Sequence, residues 1–589
     1  MSPSNPSDII TLDNLAGKLP LWKPNDESHV YAVVDMGSNG IRFSITSLAP
    51  PRTRLLTPIY STRAGISLFD ALTPTENGDL LFPPSTISSV SSTLTHFTRI
   101  AEIHHVPRSN TMIFATEAMR RAANAADMLH AIADATNGLG VHILEPSVET
   151  LFGAVMGSRS SLTNVEGALF LDLGGGSVQM TWVDTSLDDY EIKAATAGNS
   201  MPYGAAKLAR VLDGGDAALQ AVELDRLRVS MQAAFDDLCS VFPKLRAIRD
   251  AHNKGQDAAV DVYMCGGGFR GYGSMLMHND TVKPYPISSI GTYTVTGATF
   301  KQVEEMKRLN KNYDGKIFGM SKRRRKQFDA ITTVVQAFIS AVPNIRRVTF
   351  CKGSNRDGAL LMKLPRETRE ANPLEVLAAV TKDEKALFDL VLRKLSEALP
   401  KEVDPRITPT VLSDGLGYLF VREIWSRGGF DSDSNVSFAL HHAISRDIDA
   451  PGLTHLARAL LGVTVAARWG FSVGPADEKL VEGLQGILAC HNSDAIFWAR
   501  YIGSIANILT HIFPVLPEQD MSHFERSISL EAHIRPKEGK KDRVELTISV
   551  ARATLEGVEP NQLIDILKST LKDAGKKPPK KILAQISTF

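Results

Sequence analysis

Alternating apolar and polar residues mark two similar hairpins in the first third of this 589-residue chain. Residues 29–46 and 168–183 each show a period of two residues on either side of a tight turn rich in glycine and serine, which is typical of two half-buried strands. Asp35 and Asp172 lie where the first strand of each hairpin ends. The pattern therefore predicts two copies of one strand–turn–strand unit.

Strands and helices alternate after each hairpin, which favours an α/β fold. The pattern predicts strands at 61–68, 112–115, 141–144, 262–264 and 347–350, and helices at 85–103, 116–135, 149–158 and 224–241. In open α/β sheets, ligands bind beyond the carboxyl ends of the strands. Four glycine-bearing turns follow such strand ends, at 37–40, 174–177, 266–271 and 353–358, and are candidates for ligand contact.

From residue 366 onward the apolar residues recur with a helical period. Long helices are predicted at 383–399, 453–468, 478–490 and 493–512, and a hairpin at 527–550 and a helix at 562–572 follow. This region lacks a glycine-rich turn preceded by aspartate, so we expect it to serve association or docking. The predicted divisions are a flexible leader (1–28), two α/β lobes (29–163 and 164–366), a mainly helical domain (367–515) and a small α+β tail (516–589).

The charge balance argues against several classes of partner. Lysine plus arginine and aspartate plus glutamate both number 65, so the overall charge does not favour direct binding of nucleic acid or a membrane. No apolar stretch approaches the roughly 20 residues that cross a bilayer, and residues 1–25 lack the apolar core of a secretory signal. Four widely spaced cysteines favour reduced thiols. A cytoplasmic protein, with access to the nucleus, is expected.

The paired hairpins carry residue types that bind phosphate. Small turn residues let backbone N–H groups approach a phosphate, and an aspartate at the strand end can bind a hard cation. Gln179, just after the second turn, could orient a water molecule, and Glu149, at a helix start, is the candidate general base. A single such turn is more often an ordinary hairpin, but two facing turns would hold a phosphate chain from both sides.

Other motifs leave their interpretation open. The run Lys-Arg-Arg-Arg-Lys at 322–326 is either a nuclear-import or anion-binding patch or the solvated start of a helix. The glycines at 266–268 either contact a nucleotide or only begin a helix. None of the 15 histidines precedes an aspartate, so we expect the histidines of the helical region to be structural and predict no metal there.

The chain resembles the exopolyphosphatase and guanosine-pentaphosphatase family over about residues 29–365. The shared segments, in the family's order, are DMGSNGIRFSI, FATEAMRRAANA, the stretch ending at Glu149, LDLGGGSVQ, MPYGAAKL, MCGGGFR and GSNRDGALL. The resemblance implies a two-lobed actin-like ATPase (ribonuclease H-like) fold. It also implies ATP, polyphosphate or a guanosine-pentaphosphate-like ligand between the lobes, with Mg²⁺ or Mn²⁺ as cofactor.

The resemblance also assigns candidate roles to residues. Asp35 and Asp172 match the metal positions, and Glu149 matches the base. The candidate phosphate- or nucleotide-binding residues are Gly37, Ser38, Asn39, Gly40, Arg42, Arg120, Gly174, Gly175, Gly176, Ser177, Gly266, Gly267, Gly268 and Arg356. Two positions depart from the family, which has glutamate where this chain has Val148 and Gln179. Related apyrases look similar at the second turn, so inactivity does not follow.

Two functions are consistent with the resemblance. Within the family the chain is most similar to fungal proteins that signal mitochondrial and metabolic state to nuclear transcription. That similarity implies a ligand-binding regulator with a protein partner, a capacity to form a homodimer, and weak hydrolysis. The alternative is an active Mg²⁺-dependent phosphohydrolase acting on polyphosphate, nucleoside triphosphate or guanosine pentaphosphate. A scaffold that binds no ligand is a third interpretation.

Overall fold

The computed structural model describes residues 9–159, 165–405, 407–413, 415–428, 432–446, 450–518, 520–536, 541–572 and 579–589. The chain divides into two compact units. The N-terminal unit runs to Asn279 and resumes over Ser289–Ala371, and the C-terminal unit comprises Asp280–Ser288 and Asn372–Phe589. Within the described ranges, no helix is long and apolar enough to span a bilayer.

The described part of the N-terminal unit contains two six-stranded sheets and a two-stranded one. Its strands are β1 (Ile9–Ile10), β2 (Val30–Gly37), β3 (Gly40–Ser47), β4 (Thr57–Ala64), β5 (Thr73–Pro74), β6 (Leu80–Leu81), β7 (Thr111–Ala115), β8 (Val141–Leu144), β9 (Ala168–Leu173), β10 (Val178–Val183), β11 (Asn199–Met201), β12 (Val260–Cys265), β13 (Tyr293–Thr296) and β14 (Ile345–Phe350). The strand orders are β1-β8-β7-β2-β3-β4 and β11-β10-β9-β12-β14-β13. In each large sheet an antiparallel hairpin lies beside a parallel strand, so the predicted repeat of the hairpin unit is confirmed.

Helices connect and cover these strands. They are α1 (Leu15–Lys18), α2 (Leu68–Ala71), α3 (Pro84–Ile103), α4 (Glu117–Arg121), α5 (Ala125–Ala135), α6 (Pro146–Glu149), α7 (Tyr190–Ala197), α8 (Ala205–Asp213), α9 (Ala217–Val241), α10 (Pro243–Asn253), α11 (Gly266–His278), α12 (Gly297–Phe300), α13 (Val303–Asn312), α14 (Lys322–Lys326), α15 (Phe328–Ala341), α16 (Asn355–Lys363) and α17 (Arg366–Arg369). A π-helical segment, Thr150–Gly157, continues α6. One apolar core joins both sheets, because Phe114 of the first and Phe170 of the second pack into it together with Phe152 and Leu360.

The predicted leader is wrong from residue 9 onward. β1 pairs in parallel with β8, and Ile10, Leu15 and Trp22 are buried in the core. The backbone N–H of Trp22 also donates to the carbonyl oxygen of Lys363. A two-residue strand and a four-residue helix are too short to produce a periodic pattern, which is why the sequence did not reveal them. Residues 1–8 lie outside the described residues.

The C-terminal unit is mainly helical and includes a three-stranded sheet, as predicted for the helical region and its α+β tail. Its helices are α18 (Pro373–Ala378), α19 (Lys382–Glu397), α20 (Leu416–Ile424), α21 (Ser432–Ser445), α22 (His455–Arg468), α23 (Glu478–His491), α24 (Asp494–Ile512), α25 (Met521–Ser527) and α26 (Pro560–Thr570). Its strands are β15 (Ile528–Arg535), β16 (Arg543–Val550) and β17 (Lys581–Thr588). β15 and β16 form the predicted hairpin, whereas β17, which pairs in parallel with β16, was not predicted.

Candidate functional site

The turns of the two hairpins face each other. The first turn joins β2 to β3, and the second joins β9 to β10. A Cβ atom at Gly175 would lie 2.7 Å from Nδ2 of Asn39, and one at Gly176 would lie 3.0 Å from Oγ of Ser38. The glycines of the second turn therefore leave room for the side chains of the first, and the two turns abut.

Both turns line one cavity of about 110 Å³. Asp35 and Asp172 line the same cavity, because β2 and β9 occupy equivalent places in the two sheets and end at it. The predicted residues that this cavity brings together are Asp35, Gly37, Ser38, Asn39, Gly40, Arg42, Glu149, Asp172, Gly174, Gly175, Gly176, Ser177, Gly266, Gly267 and Gly268.

The third glycine run begins α11 directly at the cavity. Gly266 has a φ of +86°, and a Cβ atom there would lie 2.2 Å from Oδ1 of Asp172. Only glycine combines this left-handed backbone with such a close approach. The first residues of α11 therefore lie against the Asp172 carboxylate, and Gly267 faces the guanidinium groups of Arg42 and Arg324, each about 3.8 Å or less from a Cβ placed there.

Gln179 does not line the cavity, and its predicted contact with an attacking water stays a prediction. It is paired across the hairpin with Asp172, but its side-chain amide donates to Oγ of Ser177 at 2.8 Å and to Oγ of Ser200 at 3.2 Å. These hydroxyls hold the amide in the buried interior of the sheet. Gln179 thus supports the second turn from behind.

Arg120 also lies outside the cavity lining, so its predicted phosphate contact stays a prediction. Its Nη2 donates to Oε2 of Glu149 at 2.7 Å and to Oε2 of Glu117 at 3.0 Å. Its Nη1 donates to the carbonyl oxygen of Leu144 at 2.5 Å. Arg120 therefore orients Glu149, which does line the cavity.

Arg356 is likewise not a lining residue, and its neighbour Asn355 takes that place. Nε and Nη1 of Arg356 are buried without a hydrogen-bond partner. Burial lowers the pKa of Arg356, while the nearby carboxylates of Asp357 and Asp35 oppose that shift. The position of Arg356 is therefore behind Asp35, where its charge favours the ionised carboxylate.

Further residues line the cavity that the sequence did not single out one by one. Arg270, Ser354 and Asn355 were named only as members of the candidate turns 266–271 and 353–358, and Arg63, Ser321 and Gln327 were not named. The side chains that contribute charge or amide and hydroxyl groups are Arg63, Thr116, Arg270, Ser321, Arg323, Arg324, Gln327, Ser354 and Asn355. Arg270 stands in the GGGFR segment and donates to the carbonyl oxygens of Cys351, Lys352 and Gly353. Arg323 and Arg324 belong to the basic run at 322–326, whose motif left an anion-binding interpretation open.

The acidic side chains of the site have raised pKa values. Burial raises the pKa of Glu149 to about 7, against the opposing effect of Arg120. Burial also raises the pKa of Asp172 to about 6, against the opposing charges of Arg270 and Arg42. The pKa of Asp35 is raised by burial as well. Two of these carboxyl groups therefore titrate between pH 5 and 8, where an acid–base group works best.

The cavity provides an oxygen donor set that fits a hard cation. Among the described residues, no group of three His, Cys, Asp or Glu side chains is arranged as a metal site. However, Oδ1 of Asp35 and Oδ1 of Asn355 are buried without a hydrogen-bond partner. Oδ1 of Asn355 and Oδ2 of Asp172 both lie 2.7 Å from the point where Gly153 would carry a Cβ atom. A site with few protein oxygens suits Mg²⁺, because this ion keeps several water ligands and binds phosphate oxygens.

Close packing of two helical segments builds this corner of the site. The π-helical segment that follows Glu149 lies against α16, which begins with Asn355. A Cβ atom at Gly358 would lie only 1.9 Å from the carbonyl oxygen of Phe152. Glycine at 153 and 358 therefore lets the segments that carry Glu149 and Asn355 approach each other.

The sequence matches two family descriptions. Residues 48–367 match the Ppx/GppA phosphatase family, and residues 372–584 match the RTG2 C-terminal domain. The chain is 32% identical over 499 residues to retrograde regulation protein 2 of Saccharomyces cerevisiae, an alignment that covers 82% of this chain and 80% of the yeast protein.

Solved structures that match part of the chain include those of two bacterial proteins. One is the type II variant of the Aquifex aeolicus Ppx/GppA phosphatase, with 18% identity, a TM-score of 0.42 and coverage of 57% of this chain and 99% of that chain. Another is an exopolyphosphatase from Cytophaga hutchinsonii, with 17% identity, a TM-score of 0.41 and coverage of 56% and 96%. From the match over residues 48–367 and the identity to the yeast protein, the chain belongs to the Ppx/GppA phosphatase family and has its actin-like α/β fold, followed by an RTG2-type C-terminal domain.

Proposed function

We propose that this protein is a regulator of mitochondria-to-nucleus retrograde signalling that binds the phosphate chain of polyphosphate or ATP between its two hairpin turns. The observation that carries this proposal is the convergence of both turns, Asp35 and Asp172 on one cavity. Backbone amides from two sides suit a phosphate chain. The regulatory part of the proposal rests on the similarity to the yeast retrograde regulation protein.

The charge of the cavity favours a polyanion. Five arginines line it, Arg42, Arg63, Arg270, Arg323 and Arg324, against three carboxyl groups. Guanidinium groups bind phosphate oxygens in a bidentate manner. Among the described lining residues there is no aromatic side chain, so the site offers a nucleobase no stacking partner. We therefore expect recognition of the phosphates, with a nucleoside contributing little.

We further propose Mg²⁺, or Mn²⁺, as cofactor. Asp35, Asp172 and Asn355 would hold it, because all three line the cavity and Oδ1 of Asp35 and Oδ1 of Asn355 have no hydrogen-bond partner. When bound, the cation would neutralise charge on the phosphate oxygens. The protein's own part is to position those oxygens and to keep Glu149 near them at a pKa of about 7.

A second candidate function, a working phosphohydrolase, is favoured by Glu149. A buried carboxylate with a pKa of about 7, held by Arg120 at 2.7 Å, is suited to accept a proton from water. Against fast turnover, Val148 and Gln179 are not acidic, and the amide of Gln179 is held by the hydroxyls of Ser177 and Ser200. We therefore place weak hydrolysis second to ligand binding.

Calorimetry and phosphate release on the full-length chain test the proposal. We expect tripolyphosphate and ATP to bind with similar affinity, more tightly with Mg²⁺ than without it, and with slow phosphate release that Glu149→Gln abolishes. Rapid release would establish the phosphohydrolase instead. If neither compound binds with Mg²⁺, the proposed function is wrong.

We also propose that the C-terminal unit binds a regulatory protein or a second copy of the chain, in the cytoplasm with access to the nucleus. Large apolar side chains on its surface support this, including Ile407, Val515 and Phe589, which are 67%, 75% and 65% exposed. Sedimentation of the full-length chain should then give the mass of a dimer. A monomer at all concentrations would exclude the homodimer, and the proposed binder of the C-terminal unit would then be a regulatory protein.

A further inference from the structure

Asp70 is bound by two arginines that come from the other half of the N-terminal unit. Its Oδ2 accepts from Nη2 of Arg323 at 2.6 Å, and its Oδ1 accepts from Nη2 of Arg210 at 3.3 Å. Asp70 lies on α2, next to the first sheet, whereas Arg210 lies in the last turn of α8 and Arg323 lies in α14, after the second hairpin. The Asp70 carboxylate, from one half, therefore occupies an anion-binding position formed by Arg323 and Arg210 of the other half.

This anion position is continuous with the cavity. Arg323 lines the cavity and also donates to the tip of the first turn, to the carbonyl oxygen of Asn39 at 3.0 Å and to its Oδ1 at 2.7 Å. Arg63, a further lining residue, donates to the same carbonyl oxygen at 2.7 Å. One guanidinium group thus links the phosphate turn on one side to Asp70 on the other.

Positive charge accumulates along this path. Burial, together with the charges of Arg270, Arg42 and Arg63, lowers the pKa of Arg324 to about 10. Beyond the cavity, the guanidinium group of Arg210 lies 5.0 Å from the centre of the Phe69 ring, beside Asp70. A row of like charges of this kind needs a counter-anion, and at its outer end Asp70 supplies one.

We propose that Asp70 is a built-in competitor for the outer end of the bound phosphate chain. It holds Arg323 and Arg210 until a chain longer than the cavity accommodates reaches them and takes its place. The ligand class is a linear phosphate chain, so the inference rests on the proposed function and extends it to a selection by chain length. The exchange is feasible because Asp70 and Arg323 are 45% and 32% exposed, and partly exposed ion pairs are weak.

The test compares tripolyphosphate with long-chain inorganic polyphosphate by calorimetry on the full-length protein with Mg²⁺. Asp70→Asn keeps the shape of the side chain but removes its charge, so affinity for the long chain should rise about two- to fivefold, with a smaller change for tripolyphosphate. Arg323→Gln should weaken binding of the long chain. In the double variant the gain from Asp70→Asn should be lost, because the freed guanidinium group is no longer there.

Asp188→Asn is the matched control, since Asp188 is 96% exposed and lies 4.0 Å from Arg366, outside the cavity. It should leave both affinities unchanged. The inference is overturned if Asp70→Asn behaves like this control, if it changes both ligands equally, or if its effect persists without Arg323. If the unmodified protein binds neither phosphate chain, the proposed function itself fails, and that outcome is distinct from the others.

Discussion

Replacing Asp172 by asparagine should stabilise the protein in the absence of ligand while weakening ligand binding. Asp172 lines the cavity beside Gly266 and Gly153, and burial raises the pKa of its carboxyl group to about 6. Its ordinary value of 3.8 applies to the unfolded chain. At neutral pH the folded chain must therefore keep a carboxylate ionised in an environment that favours the protonated form.

The size of the effect follows from the difference between the two pKa values. Below pH 3.8 the raised pKa of this carboxyl group does not lower the free energy of unfolding, because the group is protonated in both states. Above pH 3.8 the free energy of unfolding falls as the pH rises, until the pH exceeds about 6. The difference between 3.8 and about 6 corresponds to about 3 kcal/mol of lost folding stability at pH 8. Because the carboxylate faces a cavity that solvent can enter, we expect the substitution to raise the free energy of unfolding by about 1–3 kcal/mol.

Thermal denaturation at two pH values measures this gain. At pH 8 we expect Asp172→Asn to raise the melting temperature by about 2–5 °C, since 1 kcal/mol shifts a large domain by about 2 °C. Near pH 4 the unmodified carboxyl group is protonated in the fold, so the difference should fall to about 1 °C or less. In parallel, calorimetry should show weaker Mg²⁺-dependent binding of tripolyphosphate.

The exposed control Asp188→Asn should leave the melting temperature unchanged at both pH values, because its side chain is 96% exposed. A lower melting temperature for Asp172→Asn at pH 8 would refute the reasoning. It would mean that attraction to Arg270 and Arg42 outweighs burial and that the carboxylate stabilises the fold.

Three further substitutions test the construction of the site. Arg120→Gln removes the charge that opposes burial at Glu149, so the acidic limb of the phosphate-release profile should move up by about 1–3 pH units; an unmoved limb would show that Arg120 does not act on Glu149. Gly153→Ala places a Cβ atom 2.7 Å from oxygens of Asn355 and Asp172. The affinity for Mn²⁺, measured by electron paramagnetic resonance, should therefore fall about tenfold. An unchanged affinity would count against this donor set. Gly358→Ala forces a Cβ atom to 1.9 Å from the carbonyl oxygen of Phe152 and should cost about 1–3 kcal/mol in urea denaturation, whereas wild-type stability would contradict the close packing.

The two hairpins could be predicted because their signal is local. The apolar strand, the aspartate and the glycine turn stand within a dozen residues of one another, and strand periodicity fixes which residues form the turn. The meeting of Asp35 with Asp172 was also predictable, since equivalent strands of a repeated unit end at the same cleft. The direction of the Gln179 amide could not be predicted from its sequence position, because the hydroxyls of Ser177 and Ser200 decide where it points.

Other parts of the site depend on contacts between distant residues. Arg120 meets Glu149 across 29 positions, and Arg323 meets Asp70 across 253. A basic run such as 322–326 has the same composition whether it is solvated or lines a cavity, so its role required the fold. The π-helical segment after Glu149 is another example, because its sequence is apolar all round and predicts only an ordinary buried helix.

A crystal structure of the full-length protein with tripolyphosphate and Mn²⁺ tests the central claim most directly. We predict phosphate density between residues 37–40 and 174–177, and an anomalous Mn²⁺ peak near the carboxylates of Asp35 and Asp172 and the amide of Asn355. Phosphate or Mn²⁺ ordered elsewhere, with this cavity filled only by water at saturating ligand, would contradict the account.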